Sequence, residues 1–461
     1  MTATLARADE LVTRRFDAFV EELCECVRIP SVSAEPSEGL QQMADWLATQ
    51  LDGLGFNINL VPVDGYAPAV VGRLRGEGQR RLLLYSHYDV QPADPIEEWA
   101  CSPFAAMGRN GVIYGRGICD DKADIASRLH ALRAWREANG ELPFEVVWLS
   151  EGAEEIGSPG LASVCTEHAE MLRADGCLWE SYLRRADGTP EVAFGCKGLL
   201  YLQFSVRELS ADQHSSFAGV FRSAPVRLVQ AISSLVGPDG RPAVDGLGEL
   251  VSEPTAEEIA SLGSLELPDG SAAALPGESP FMNDDREDLL RRLFFEPSIN
   301  IAGLTSGFQS GGSKTVLPAT ASAKVDLRLV PGQSPTDVHA LVEAHLQSRG
   351  FADVRVEVLS AVKGAHSSSA SLIGKTVLQA SSDVMGVPVI CPVVPGSGPM
   401  HVVADLLGVP TVTGPGSLRM DSGMHAPNEH IRLTDYRDEI RFNLRLFEFF
   451  GYESECAQDD G

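Results

Sequence analysis

No CxxC pair occurs among the nine cysteines of this 461-residue chain, which stand scattered at positions 24, 26, 101, 119, 165, 177, 196, 391 and 456. That spacing excludes a zinc ribbon and a regular disulfide framework, and it fits reduced thiols in a cytoplasmic protein. Cys24 and Cys26 would splay apart on a helix, so they are not read as a ligand pair. No apolar run reaches eighteen residues, which argues against a membrane-spanning helix. The first residues, MTATLARADELVTRRFDAFVEELCECV, lack the apolar centre of a signal peptide and carry the charge pattern of an amphipathic helix. Basic residues are scarce: 37 Lys and Arg against 64 Asp and Glu give a formal charge of −27. A chain this acidic is repelled by nucleic acid and by anionic membranes, and neither is expected as a partner.

What is present is ordinary globular material, with 44% hydrophobic and 22% charged residues and enough length for two or three domains. Helices are expected over 5–28 and 39–55, then strands at INLVPV, AVVGRL and RRLLLYSHYDV. A helix at 122–138, the β-run FEVVWLS at 144–150, a helix at 159–173 and GCLWE follow. Strands alternating with helices indicate α/β architecture, a mostly parallel sheet flanked by helices. The texture changes near 198, where LLYLQFSVRE alternates like an antiparallel strand with one exposed face. After it come a helix at 224–236, an acidic Gly/Pro-rich stretch at 237–282, and TASAKVDLRLV and DVRVEVLSA flanking the helix PTDVHALVEAHLQSRG. The α/β pattern returns after about 370 and closes with a helix at 433–450. The expectation is therefore one α/β domain (1–197 and 368–461) interrupted by an inserted α+β unit (198–367).

In parallel sheets, sites collect at the carboxyl ends of the strands. There this sequence places His87 after LLLYS, Asp120 and Asp121 in the Gly-rich GRGICDDK, Glu154 and Glu155 after VVWLS, Glu180 after GCLW, and His425 in MHAPNEHI. Period two puts Asp89 on the same side as His87, where it can fix the imidazole tautomer. Each residue alone has a plain reading as a solvated acid or an ordinary histidine. Together they suit a pair of divalent cations sharing one carboxylate, with one acid left over as a general base. The histidines at 130, 168, 339, 345, 366, 401 and 430 lack such context, and Cys119 reads as a small packed residue.

The segments SHYDVQP, YGRGICDDK, SEGAEEIGS, DQHSS, GGSKTVLPA, DLRLVPGQ, GSGPM and HAPNEHI occur in this order between about 80 and 435. In that order they resemble the dinuclear zinc metallopeptidase and aminoacylase family, which includes carnosinase-type dipeptidases, glutamate carboxypeptidases and acetylornithine deacetylase. The likeness is greatest to the dipeptidase-like branch. The resemblance implies two divalent ions per subunit, zinc first with manganese or cobalt as alternatives. His87, Asp120 and Glu180 would hold one ion; Asp120 would bridge to the second, held also by Glu155 and His425. Glu154 would be the general base, Asp89 would orient His87, and a cis-like peptide would follow Asp120. The inserted unit would be a lid and homodimerisation domain, from which His214 of the partner subunit stabilises an oxyanion. Arg328, Thr315 and Ser397 would contact substrate, with Arg328 on its carboxylate.

The implied activity is amide hydrolysis of dipeptides or short peptides, as a dipeptidase or carboxypeptidase-like exopeptidase. The alternatives are an N-acyl-amino-acid deacylase with the same site and a catalytically silent binding homologue. Three departures bear on the substrate: Glu180 stands where many dipeptidases have Asp, DQHSSF where His-Ser-Gly is commoner, and GSGPM where Ile-Pro usually ends the motif.

Overall fold

The computed structural model describes residues 2–35, 37–268, 275 and 278–452. Cys456 and part of the 237–282 stretch lie outside them. Contacts divide the chain into two units: Met1–Phe194 with Ser367–Cys391 and Pro399–Gly461, and Gly195–His366 with Pro392–Gly398. The short return segment carrying Ser397 thus packs with the inserted unit, whereas the sequence reading gave it to the α/β domain.

The first unit is built on a six-stranded sheet ordered Asn57–Val63, Tyr66–Leu74, Glu145–Glu151, Arg81–His87, Gly176–Arg184, Thr411–Arg419. Its last four strands run parallel, and the first two form an antiparallel hairpin on one edge. Leu82, Leu84, Val146 and Trp148 join the main core, while the alternate residues Leu83, Tyr85, Val147 and Leu149 are equally buried. Burial on both faces explains why these strands read as continuous apolar runs. The helix Ala3–Val27 enters that core with Leu5, Ala8, Val12, Phe16, Phe19, Leu23 and Val27, a three-to-four-residue repeat on one face. Thr2 caps its start by accepting from the Leu5 amide. This helix packs on Ala123–Asn139, which with Leu433–Tyr452 and Leu372–Val384 supplies most of the remaining core.

The expected helix at 159–173 is two short pieces, Leu161–Glu167 and Ala169–Leu172, because His168 leaves helical geometry (φ −113°, ψ 22°). The second unit is a four-stranded antiparallel sheet ordered Ser298–Ser306, Thr320–Leu329, Gly198–Arg207, Arg355–Val362. Leu200, Leu202, Phe204, Val325 and Leu327 pack under the helices Ala224–Ser233 and Pro335–Ser348. The edge strand Ser298–Ser306 and the helix Arg286–Phe295 were not foreseen. That strand carries little apolar alternation, since only one of its residues in three is even half-buried.

Among the described residues, no helix is long and apolar enough to cross a membrane. Among the described residues the eight cysteines form no disulfide, and all but Cys101 are buried.

Candidate metal centre

His87 ends its strand, paired in register with Glu151 of the neighbouring parallel strand, so the sheet itself fixes where the imidazole emerges. Asp120 and Asp121 follow Gly117, whose φ of +78° suits glycine and where a Cβ would stand 2.1 Å from Val90 Cγ1. Their shared peptide is cis, as the resemblance implied. Lys122, fully buried, donates to the carbonyls of Cys26 (3.1 Å) and Ile29 (2.6 Å), pinning this loop to the end of the first helix.

One carboxylate faces both histidines. Asp120 Oδ1 lies 2.9 Å from His87 Nε2 and Oδ2 lies 2.9 Å from His425 Nε2. Glu180 Oε2 is 3.5 Å from His87 Nε2, and Glu155 Oε2 is 3.1 Å from His425 Nε2. The ligand-type atoms fall into two groups: His87, Asp121 and Glu180, and Asp120, Glu155 and His425. Asp121 was not singled out from the sequence as a ligand. Its Oδ2 accepts from the His87 amide (3.1 Å), a job that braces the strand end. All five expected ligands thus converge, although they span more than three hundred residues of chain.

Asp89 is fully buried and does more than face a ring. His87 Nδ1 is 3.2 Å from the Asp89 carbonyl oxygen and 3.5 Å from its Oδ1. The two carboxylate oxygens accept from the amides of Glu154 and Glu155, 3.1 Å each, and so hold the acid doublet in place. Gln91, two residues on, donates to Glu155 Oε2 at 2.9 Å. Its alternation with His87 and Asp89 was the available signal, and it was missed. Glu180 accepts from the Trp179 indole at Oε1 (2.9 Å), and Trp179 stacks on Tyr85 with ring centroids 3.5 Å apart.

The electrostatics show what this arrangement is short of. Burial, then the negative charge of Asp120, pushes the Glu180 carboxyl up to about 7, with His87 opposing. Burial and Glu180 raise Glu154 well above the ordinary carboxylate range. Hydrogen bonds to Asp120 and Glu155 raise His425 to about 10. Burial works against ionisation of Asp120, yet hydrogen bonds from His425 and His87 outweigh it and keep this carboxyl low. The cluster holds more negative charge than its own histidines balance. Divalent cations fit it: the donors are imidazole nitrogens and carboxylate oxygens, and Glu180 Oε2 is a buried oxygen with no hydrogen-bond partner.

The remaining expected residues belong to the second unit. His214 ends a two-residue strand in which it faces Val316, and the Ser215 amide donates to the Thr315 carbonyl (3.4 Å). His214 Nδ1 lies 2.8 Å from Ser216 Oγ, and the residue is exposed. Arg328 Nη1 donates to Ser397 Oγ at 2.9 Å, although the two are 69 positions apart.

The profile of "Peptidase family M20/M25/M40" matches residues 83–448. The Cys-Gly metallodipeptidase dug1 of Schizosaccharomyces pombe is 29% identical over 365 residues, covering 75% of this chain and 76% of that protein. The Beta-Ala-His dipeptidase of Homo sapiens is 28% identical over 363 residues, covering 75% and 72%. Among solved structures, the M20 family metallo-carboxypeptidase Sso-CP2 from Sulfolobus solfataricus superposes with a TM-score of 0.84 at 32% identity, covering 94% of this chain and 99% of that one. The dipeptidase Dug1p from Saccharomyces cerevisiae gives 0.78 at 26%, covering 99% and 100%.

Proposed function

The chain belongs to peptidase family M20/M25/M40, within its dipeptidase-like branch, and as such is a metal-dependent peptidase; from that premise we propose that it cleaves dipeptides or short peptides bearing a free carboxylate. The observation that carries the reading is the single Asp120 carboxylate set 2.9 Å from each of two histidines, with a further acid beside each. We assign His87, Asp120 and Glu180 to one ion and Asp120, Glu155 and His425 to the other. Asp120 is preferred to Asp121 because Asp121 is engaged by the His87 amide. Zinc suits this nitrogen and oxygen set, and manganese or cobalt are the alternatives.

Two divalent ions held by His87, Asp120, Glu155, Glu180 and His425 would supply Lewis acidity toward a scissile carbonyl and a water. Glu154 is the acid that neither ligand set uses. It regains its anionic form once the surrounding charge is balanced, takes the proton of the attacking water and passes it to the leaving amine. Asp89 keeps Glu154 in place through its backbone amide. In the second unit, Arg328 grips the substrate carboxylate, with Ser397 bonded to the guanidinium and Thr315 as a further contact. His214 of the partner subunit serves the oxyanion, in a homodimer formed through the inserted lid unit. Described cysteines that form no disulfide are in keeping with a cytoplasmic location.

The carboxypeptidase likeness favours a second reading within the same chemistry, release of C-terminal residues from somewhat longer peptides. The test is a panel of dipeptides, longer peptides and N-acetyl amino acids, repeated with Arg328→Met. Hydrolysis of peptides is expected, with KM raised about 10- to 100-fold in the variant, the worth of a charged hydrogen-bond pair. Activity confined to the N-acetyl compounds would make the protein a deacylase. No cleavage of any compound by metal-loaded protein would make it a silent homologue.

A further inference from the structure

His425 and Asn428 both hold left-handed backbone, with φ of +60° and +64°, uncommon for residues other than glycine. A loop bent this way persists only where its surroundings impose it. Two side chains at its end do so. Asn428 accepts from the Ala100 amide (2.7 Å) and donates to the Glu98 carbonyl (2.9 Å). Glu429, 1% exposed, reaches the loop that leads into Asp120. Its Oε2 accepts from Arg116 Nη1 (2.7 Å) and the Gly117 amide (2.8 Å), and its Oε1 accepts from the Cys119 amide (2.9 Å). Its own carbonyl accepts from the Gly115 amide (2.9 Å). One buried carboxylate therefore ties residues 116–119 to a point four residues beyond His425. Those two loops supply Asp120 and His425, two of the three side chains in the second ligand group.

We propose that Glu429 is a positioning residue that fixes the spacing of Asp120 and His425 and so bears mainly on the metal position that draws two ligands from these loops, and to a smaller extent on the other, which shares only Asp120. Glu429 acts through the Arg116 guanidinium and the backbone of the loop before Asp120. His87 ends one sheet strand and Glu180 lies within another, so the position they hold depends on Glu429 only through Asp120 and the effect is unequal. This rests on the dinuclear reading above.

The test uses the full-length protein and Zn2+ alone, titrated in competition with a chromophoric chelator. Wild type is expected to bind two ions. Glu429→Gln keeps the shape but sets an amide nitrogen against donors, and it is expected to weaken one ion about 10- to 100-fold and the other, which shares only Asp120, by clearly less. Asn428→Gly, which tolerates the left-handed backbone and removes the tether to residues 98–100, is expected to keep both affinities. Should Glu429→Gln fail to fold, Arg116→Lys replaces it, with a smaller weakening that again falls mainly on the same ion. Equal weakening of both ions, no weakening of either, or an Asn428→Gly loss as large as that of Glu429→Gln would overturn the proposal. Wild type binding fewer than two ions would instead remove the dinuclear reading on which it rests.

Discussion

The His87 and His425 sides of the centre share Asp120 but are supported in opposite ways. His87 closes a strand whose neighbours on both sides are parallel, and its side chain is 1% exposed. His425 sits in a loop with left-handed backbone, and its side chain is 47% exposed. One imidazole is held by the sheet before any ion arrives; the other is held by loop tethers and by its acidic partners. The difference teaches that a dinuclear site need not be equally rigid on its two sides. The better-built side should act as the anchor and the loop-borne side as the more readily emptied one.

Glu154 tests that comparison most sharply because it belongs to neither side. Glu154→Gln is expected to lower turnover by about 10²- to 10⁴-fold, the usual worth of a positioned general base, with both ions still bound by elemental analysis. Loss of an ion in this variant would place Glu154 among the ligands.

The next largest effect separates the two histidines. In metal-free protein, His87→Ala removes a buried imidazole from the partly buried Asp120 and Glu180, a change whose upper bound is the loss of about 3–5 kcal/mol for a broken buried pair. His425→Ala removes a half-exposed partner, and solvent screening limits its cost to about 1 kcal/mol or less. Chemical denaturation of the two variants in chelator checks this, and equal losses would erase the distinction between anchor and loop.

The smallest effect is a pH slope. Glu180 is raised to about 7 and His425 to about 10, so between about pH 4.5 and 10 these two groups together bind more protons in the folded metal-free chain than in the unfolded one. Their contribution to stability then falls as pH rises through this window. Thermal midpoints in chelator are expected to drop from pH 5.5 to 8.5, and saturating Zn2+ to flatten or reverse the trend. A rising midpoint in chelator would mean that the acids are balanced by something other than bound cations.

How far the sequence revealed this follows the same division. The strands ending at His87 and near Glu154 were legible because burial on both sheet faces demands unbroken apolar runs, and these point at their own carboxyl ends, whereas the strand of Glu180 runs on to Arg184 beyond the end expected for it. His425 had no such signal. Its loop is defined by backbone bends and by Asn428 and Glu429 reaching distant amides, which no local pattern encodes, and only the motif HAPNEHI brought it forward. Asp121 and Gln91 were passed over because their roles depend on which neighbour each side chain reaches. In the second unit, LLYLQFSVRE was clear from its alternation, whereas the edge strand Ser298–Ser306 was invisible because almost nothing covers it. The pairing of Arg328 with Ser397 joins segments far apart in the chain, and the texture of the sequence gave no hint of it.

Anomalous diffraction from a crystal of the full chain soaked in Zn2+ bears most directly on the centre itself. Two peaks are expected about 3.5–4 Å apart with Asp120 between them, one within about 2.2 Å of His87 and Glu180 and the other equally near Glu155 and His425. A single peak, or a pair that leaves Asp120 outside, would contradict the account.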